Sequence, residues 1–201
     1  EANSGESSVI LLKTTDDTVM GGLTELNRDS NHKLLMQHNQ VLLFGEKLAE
    51  QGIKKHIDLF MRDQQARLEV PILVVEGQAA EPLTAKLAQE RISGIFLAGM
   101  FEDLAGRSVE YRVRLIDFAS RLLDTTTAPV VPIVRVTGEG GKQEIKRNGM
   151  AVFQGDRMIG RLSNDETMGY IWSMGKVKRS DMEAGDGLGR VVFHITKLDC
   201  A

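Results

Sequence analysis

Short apolar runs alternate with stretches in which apolar residues recur every three or four positions. The runs predict strands in the first part of the chain at Val9–Lys13, Lys33–Phe44 and Arg67–Val75. The helical spacing predicts helices that begin near Thr14, follow Gly52, cross Leu83–Leu104 with interruptions, and run from Leu115 to near Asp124. Because Pro71 lies inside the third predicted strand, we expect that strand at a sheet edge or at a bulge.

The pattern changes after Asp124, where threonines and prolines lead into extended segments. We predict strands at Val130–Val136, Ile145–Gln154, Arg157–Leu162 and Val191–Leu198. Ser163 and Glu166 form a capping-box pattern that starts another helix, and the glycine- and acid-rich Ser180–Gly189 is predicted to be a loop. The whole pattern predicts an α+β (mixed α/β) fold of two small domains, residues 1–138 and 139–201. Each is expected to be a mixed or antiparallel sheet with helices packed against it.

The composition is that of an ordinary globular protein. The chain has 201 residues, of which 42% are hydrophobic and 26% charged, and its formal net charge is −3. Basic residues cluster in the second half, at Lys142, Lys146, Arg147, Lys176, Lys178 and Arg179. Since only 5% of residues are aromatic, this cluster indicates a solvated charged face, and no nucleic-acid partner is predicted.

Targeting signals do not decide the compartment. No apolar run reaches the roughly 18 residues of a membrane-spanning helix, and no signal peptide or lipidation motif stands at Glu1. This pattern fits a cytoplasmic protein, and it fits equally a fragment whose targeting segment was removed. Cys200 is the single cysteine, and His194 would lie about 20 Å from it along a strand, so a catalytic thiol is not predicted.

Residues that bind metals or phosphates in other proteins are present without the required spacing. The histidines are His32, His38, His56 and His194. No two of them have the i, i+4 spacing of a zinc protease. The acidic residues Asp181, Glu183 and Asp186 do not match the spacing of a calcium loop. Gly138–Gly141 and Gly185–Gly189 are interpreted as hairpin turns, because neither lies between a strand and a helix as a phosphate loop would.

The serines and the paired carboxylates do not form a recognised catalytic motif. No Gly-x-Ser-x-Gly elbow exists, and Ser93 and Ser173 lie near glycines only as fragments of that pattern. The pairs Glu102–Asp103 and Asp165–Glu166 are expected to face solvent or to cap helices. Trp172 is expected to be a core anchor. We therefore predict no enzyme, no catalytic, cofactor-binding or metal site, and no cofactor.

Several segments, taken in order, follow the pattern of one known family. In His38–Gly52 a histidine leads into an apolar strand, then Gly-Glu-x-Leu-Ala and a helix. Further segments are similar to family motifs: Ile57–Asp63 to DFFxRD, Val113–Phe118 to VTLLDFL, Gly149–Gly160 to GLAVFKxDKLVG, and Asp165–Lys176 to EETRGLLWLxGK. This series, which covers most of the chain, resembles the Ger(x)C lipoproteins, the C subunits of bacterial spore germinant receptors.

The resemblance implies a lipoprotein on the outer face of the spore inner membrane. Its lipid anchor would precede Glu1, a further domain would follow Leu198, and Cys200 would not carry the lipid. Its partners would be the integral-membrane A and B subunits of a receptor for nutrients such as amino acids or sugars. The implied role is a non-enzymatic scaffold or signal-relay subunit required for germination. One alternative is a sensor that binds an amino acid or a sugar directly, and another is a hydrolase with a dispersed site.

Overall fold

A computed structural model describes residues 9–30, 34–85, 87, 93–101, 112–138, 143–175, 177, 180–186 and 189–195. The described helices are α1 Val19–Asp29, α2 Glu46–Gln51, α3 Lys54–Arg62, α4 Glu81–Thr84, α5 Ser93–Gly99, α6 Leu115–Leu123 and α7 Asn164–Ser173. The described strands are β1 Leu42–Gly45, β2 Ile72–Val75, β3 Val130–Thr137, β4 Glu144–Gln154, β5 Arg157–Leu162, β6 Ser180–Asp186 and β7 Gly189–Ile195. A 3₁₀ turn spans Met36–His38.

The main sheet is mixed and has five strands in the order β1-β2-β3-β4-β5. The first three strands are parallel to one another, and β4 and β5 continue the sheet in antiparallel fashion. Strands β6 and β7 form a separate antiparallel pair. This arrangement confirms the predicted α+β fold with a mixed sheet.

Helices with strong local signals form where the sequence predicts them. Helix α1 begins after Thr18, whose side chain accepts a hydrogen bond from the Gly21 amide at 3.0 Å, so it starts slightly later than predicted. Helices α3 and α6 carry the predicted apolar faces, and α6 ends at Asp124 as expected. In the interrupted segment the structure describes α4 and α5, and the rest of that segment lies outside the described residues.

The position of Pro71 was predicted wrongly. The expected strand Arg67–Val75 is shortened to β2, which is central in the sheet and not at its edge. Pro71 precedes β2, where it forms an isolated bridge with Arg114, and its carbonyl oxygen accepts a hydrogen bond from Leu42 N of β1 at 2.9 Å. Because the proline stands just before the strand, its missing N–H removes no hydrogen bond from Ile72–Val75.

Three other predictions of extended or loop structure were wrong. Val9–Lys13 has no regular structure, and of the predicted strand Lys33–Phe44 only its end is in β1. The predicted loop Ser180–Gly189 is mostly strand β6, paired with β7 from Ser180↔Ile195 to Asp186↔Gly189. In each case the deciding factor is the presence or absence of a partner strand, which local composition does not reveal.

The central strand β2 is buried on both faces of the sheet. Ile72 and Val74 of β2 pack into the larger hydrophobic cluster, and Leu73 and Val75 pack into a smaller one. All four side chains are at most 1% exposed. This continuous apolar run is typical of a parallel strand that is covered on both sides.

Both sides of the predicted domain division contribute to one core. The ring of Phe118 in α6 meets the ring of Phe153 in β4 edge to face, with centroids 5.2 Å apart. Asp156, in the β4–β5 turn, accepts hydrogen bonds at the start of α3, at its carbonyl from Ile53 N (3.0 Å) and at Oδ2 from Lys54 N (3.1 Å). The division into residues 1–138 and 139–201 stays a prediction, although strands on both sides belong to one sheet.

A substitution within residues 1–138 is expected to destabilise residues 139–201 as well. Replacing Phe118 with alanine is expected to lower the free energy of unfolding by about 3–5 kcal/mol, because it leaves a cavity against Phe153. Urea unfolding followed by the fluorescence of Trp172, the single tryptophan, measures this effect in the second region. Leu123→Ala on the same helix is the control, since Leu123 is 87% exposed. An unchanged Trp172 transition in Phe118→Ala would show that the two regions unfold independently.

Candidate functional site

Two glutamates stand at the carboxyl edge of the parallel strands. Glu46 directly follows β1 and Glu76 directly follows β2, so both lie where open α/β sheets commonly bind ligands. The backbones there are close, because a Cβ placed on Gly45 would lie 3.1 Å from the carbonyl oxygen of Gly77. Gly77 has φ +103°, a conformation that favours glycine.

Arg161 of β5 joins these two carboxylates. Its guanidinium forms an ion pair with Glu46, and its Nη1 lies 3.3 Å from Oε2 of Glu76. The side-chain amide of Asn148 also donates to Oε2 of Glu76. The network therefore ties the ends of β1 and β2 to β5, which is the opposite outer strand of the sheet. The polar groups of this network bind one another. We call the network of Arg161, Glu46, Glu76 and Asn148 the Arg161 brace.

A cavity of about 230 Å³ lies between α7 and an irregular part of β3 and β4. Pro132 pairs with Met150 and Val134 pairs with Arg147, so two residues of β4 oppose Ile133 alone. This is the geometry of a β-bulge, a feature that often lies beside functional sites. Pro132 lines the cavity and has no N–H to give to the ladder.

Gly149 is required at this bulge. Its φ is +78°, and a Cβ there would lie 1.9 Å from the carbonyl oxygen of Leu162. Only glycine fits this close approach between the bulged strand and the end of β5. The bulge is therefore fixed by the sequence, and the cavity beside it is built into the fold.

The cavity has an apolar inner wall and polar groups toward solvent. Phe101, Met150 and Ile171 are buried, with at most 5% of each exposed. The exposed residues Arg147 and Asn164 also line it, and Arg147 is the only charged residue among the described lining residues. The side chain of Thr167 lines the cavity too, and its Oγ1 is buried without a hydrogen-bond partner in the described part of the chain.

Arg147 is held at the cavity by contacts on two sides. Its guanidinium lies 5.2 Å from the centroid of the Phe101 ring, and it donates to the carbonyl oxygen of Met100. The sequence predicts a solvated charged face for Arg147. The residue is exposed, but the bulge brings it to the cavity, which no local pattern around Arg147 reveals.

The helix beside the cavity is fixed by the predicted capping box. Ser163 N donates to Oε2 of Glu166 at 2.8 Å, and Glu166 N donates to Oγ of Ser163 at 3.2 Å. Hydrogen bonding of the Glu166 carboxyl group with the backbone of Ser163, and then with its side chain, lowers the pKa of Glu166, because it favours the charged form. Glu166 is thus a capping group, as predicted for the pair Asp165–Glu166.

The histidines considered as metal ligands lie in different parts of the molecule where they are described. His38 borders an apolar groove with Leu23, Leu35 and Phe60, and His194 is in β7. His56 in α3 has a lowered pKa, because burial and then the charge of Lys55 disfavour its protonated form. Its buried Nε2 has no hydrogen-bond partner among the residues that the structure describes. Within the described ranges, no three His, Cys, Asp or Glu side chains gather as metal ligands.

Most other candidate residues have structural roles where they are described. Ser93 and Ser173 donate to the backbone carbonyls of Ala85 and Tyr170, and Lys146 forms an ion pair with Glu144 at 3.0 Å. Trp172 packs against the main core, and Asp181, Glu183 and Asp186 are in β6. The remaining candidates lie outside the described residues: His32, Cys200, Glu102–Asp103, Lys142, Lys176, Lys178, Arg179 and most of Gly138–Gly141.

The chain belongs to a family of spore germination proteins. Residues 1–136 match the model of the spore germination protein N-terminal domain. Residues 148–198 match the model of the C-terminal region described as spore germination B3 or GerAC-like. The gap between the two matches includes the last residue of β3 and the first residues of β4. No described helix has the length and apolar character needed to cross a bilayer.

A relative in sequence agrees with this assignment, and a solved structure has a similar fold. Protein YfkR of Bacillus subtilis (strain 168), which is named as a spore germination protein, is 29% identical over 188 residues, covering 87% of this chain and 48% of YfkR. The crystal structure of the GerBC protein has a similar fold, with a TM-score of 0.55 and 24% identity over 80% of this chain and 45% of that chain. The chain therefore spans about half the length of the relatives it matches.

The brace around Arg161 should contribute a modest amount of stability. Arg161→Met is expected to lower the free energy of unfolding by about 1 kcal/mol, because Glu46 and Glu76 lose their shared cation while the site stays partly exposed. Adding Glu76→Gln should recover part of this loss by removing one of the two facing charges. Urea unfolding at low salt measures both steps, with Arg157→Met as the control on the same strand. Equal midpoints for Arg161→Met and the control would contradict the brace.

Proposed function

We propose that this chain acts as a non-enzymatic assembly or signal-relay subunit of a nutrient germinant receptor. The whole protein would be a lipoprotein anchored on the outer face of the spore inner membrane, where it would bind the integral-membrane A and B subunits. Membership of the spore germination family supports this proposal. Because the chain spans about half of its relatives, the anchor and the partners are part of the proposal.

The observation that carries the assembly role is the apolar surface of β7. Val191, Val192 and Phe193 are 55%, 47% and 52% exposed. Successive residues of a strand point to opposite faces, so both faces of the β6–β7 pair present apolar side chains. A two-stranded sheet is marginally stable in water on its own, and apolar surface of this kind is typical of contacts with another polypeptide.

A small-ligand sensor is the second candidate function. The cavity between α7 and the bulge favours it, because concave sites with an apolar wall and a few polar groups are typical of ligand binding. The two functions are compatible, since the cavity and β7 involve different residues. Saturable binding of a nutrient by the isolated chain, measured by calorimetry, would support the sensor.

Deletion of the gene tests the receptor role. Spores without this protein are expected to lose germination in response to nutrients while still germinating by a route that bypasses nutrient receptors. The fall in optical density of spore suspensions measures both responses. Restoration by the wild-type gene is the control. Normal nutrient germination in a deletion strain that has no related gene would contradict the proposal.

Substitution of the exposed β7 surface tests the assembly role separately. Val192→Asp places a charge on the proposed contact surface and is expected to reduce co-purification with the A and B subunits. Leu123→Asp is the matched control, because it introduces the same charge at a residue that is 87% exposed on α6. The urea midpoint reported by Trp172 should be unchanged in both variants. Full co-purification of Val192→Asp would exclude this surface.

A further inference from the structure

The cavity between α7 and the bulge has a wall of apolar side chains. Met150 and Ile171 are 1% and 2% exposed, and the buried Phe101 belongs to the same wall. The half-buried Met168 of α7 adds a second thioether to the lining. Methionine side chains adapt to the shape of a bound group, and their sulfur atoms favour contact with aromatic rings. The wall therefore suits a compact apolar group, and an aromatic ring in particular.

The charged side chain that lines the cavity is already engaged within the fold. Arg147 is the only charged residue among the described lining residues, and its guanidinium lies 5.2 Å from the centroid of the Phe101 ring. The same guanidinium donates to the carbonyl oxygen of Met100. Because Arg147 has partners of its own, a charged ligand would be buried against the apolar wall without a counter-charge, which is costly. The arrangement therefore favours uncharged ligands.

Size and hydrogen bonding narrow the ligand further. The cavity measures about 230 Å³, and an engineered apolar cavity of about 150 Å³ in another protein binds benzene. There is thus room for one ring with a short substituent. The exposed Asn164 lines the cavity toward solvent, where one hydroxyl group can keep its hydrogen bonds with water. A sugar does not fit, because several of its hydroxyl groups would lie against apolar side chains with their hydrogen bonds unmade.

The backbone fixes the cavity wall on the side of the sheet. Gly149 has φ +78°, and it lies so close to the carbonyl oxygen of Leu162 that a Cβ would be 1.9 Å from that atom. This contact holds the bulged part of β4, and with it Met150, against the end of β5. The wall is therefore formed before a ligand arrives, as is usual for small-molecule sites.

We propose that the cavity between α7 and the Pro132–Gly149 bulge binds a compact uncharged apolar molecule, a single ring with one small polar substituent. The ring contacts Met150, Met168 and Ile171, and the substituent stays near Asn164. This inference rests on the second candidate function, because it names the class of ligand that a sensor at this cavity would take. It does not depend on the assembly role of β7.

The experiment uses benzyl alcohol, with benzoate and benzylammonium as charged probes of nearly the same shape. The purified chain carries ¹³C-methyl methionine, and each resonance is assigned by replacing one methionine at a time with leucine. Benzyl alcohol at millimolar concentration is expected to shift the Met150 and Met168 resonances saturably, with both charged probes at least about tenfold weaker. Met158, which is 7% exposed, and Met20, which is 55% exposed, do not line the cavity and should not shift.

A substitution on α7 locates the binding. Met168→Trp fills the cavity and should weaken binding of benzyl alcohol at least about tenfold, as read from the Met150 resonance. Met174→Trp is the matched control, because it adds the same side chain just after α7 at a 38% exposed residue that does not line the cavity. An unchanged Met158 resonance shows that each variant is folded. If Met168→Trp does not fold, the comparison of uncharged and charged probes on the wild type decides alone.

Several results would each overturn the proposal. They are no saturable shift with benzyl alcohol, shifts at Met158 and Met20 as large as those at Met150, charged probes that bind as tightly as the alcohol, and full binding by folded Met168→Trp. Saturable binding of an amino acid or a sugar without binding of benzyl alcohol would support the sensor function while overturning this choice of ligand.

Discussion

The antiparallel pairing of β3 with β4 is the interaction on which the rest of the fold depends. Strands β1 and β2 have four residues each, and parallel strands this short are stable only when both of their faces are covered. Pairing adds β4 to this sheet and brings Phe153 against Phe118, while the following turn places Asp156 at the start of α3. The helices of the first region thus bury their apolar faces against strands of the second.

The β-bulge within the β3–β4 pairing costs free energy, and the fold keeps it nonetheless. A bulge leaves one residue outside the ladder, and Gly149 holds a backbone conformation that other residues rarely adopt. Without the bulge, β4 would pair with β3 residue by residue along its whole length. With the bulge, Arg147 is redirected toward Phe101, and a cavity remains between the sheet and α7. The bulge and the cavity therefore have one cause, in which Pro132 and Gly149 act together.

The sequence predicts the elements whose signals are local. The alternating residues around the Gly155–Asp156 turn, the Ser163–Glu166 capping box and the apolar spacing of α6 each lie within one short segment. Features that depend on distant partners could not be predicted in this way. Strand β6 contains glycine and acidic residues that disfavour strands, and it forms because β7 pairs with it. The Arg161 brace and the cavity join residues that are far apart along the chain, so neither leaves a pattern that can be read in one segment.

The polar groups at the carboxyl edge of the sheet are paired within the fold, whereas apolar side chains on β7 are exposed. At the carboxyl edge, where an α/β protein often binds its ligand, Arg161 already pairs with Glu46 and Glu76, so a ligand would have to displace an internal ion pair. Valine and phenylalanine side chains on β7 have no such competing partner in water, and burying them releases free energy in proportion to the apolar area covered. The cavity beside the bulge shares this apolar character at its inner wall, where Met150 and Ile171 are buried. The apolar side chains on β7 are therefore a surface that can be covered without breaking an ion pair inside the fold.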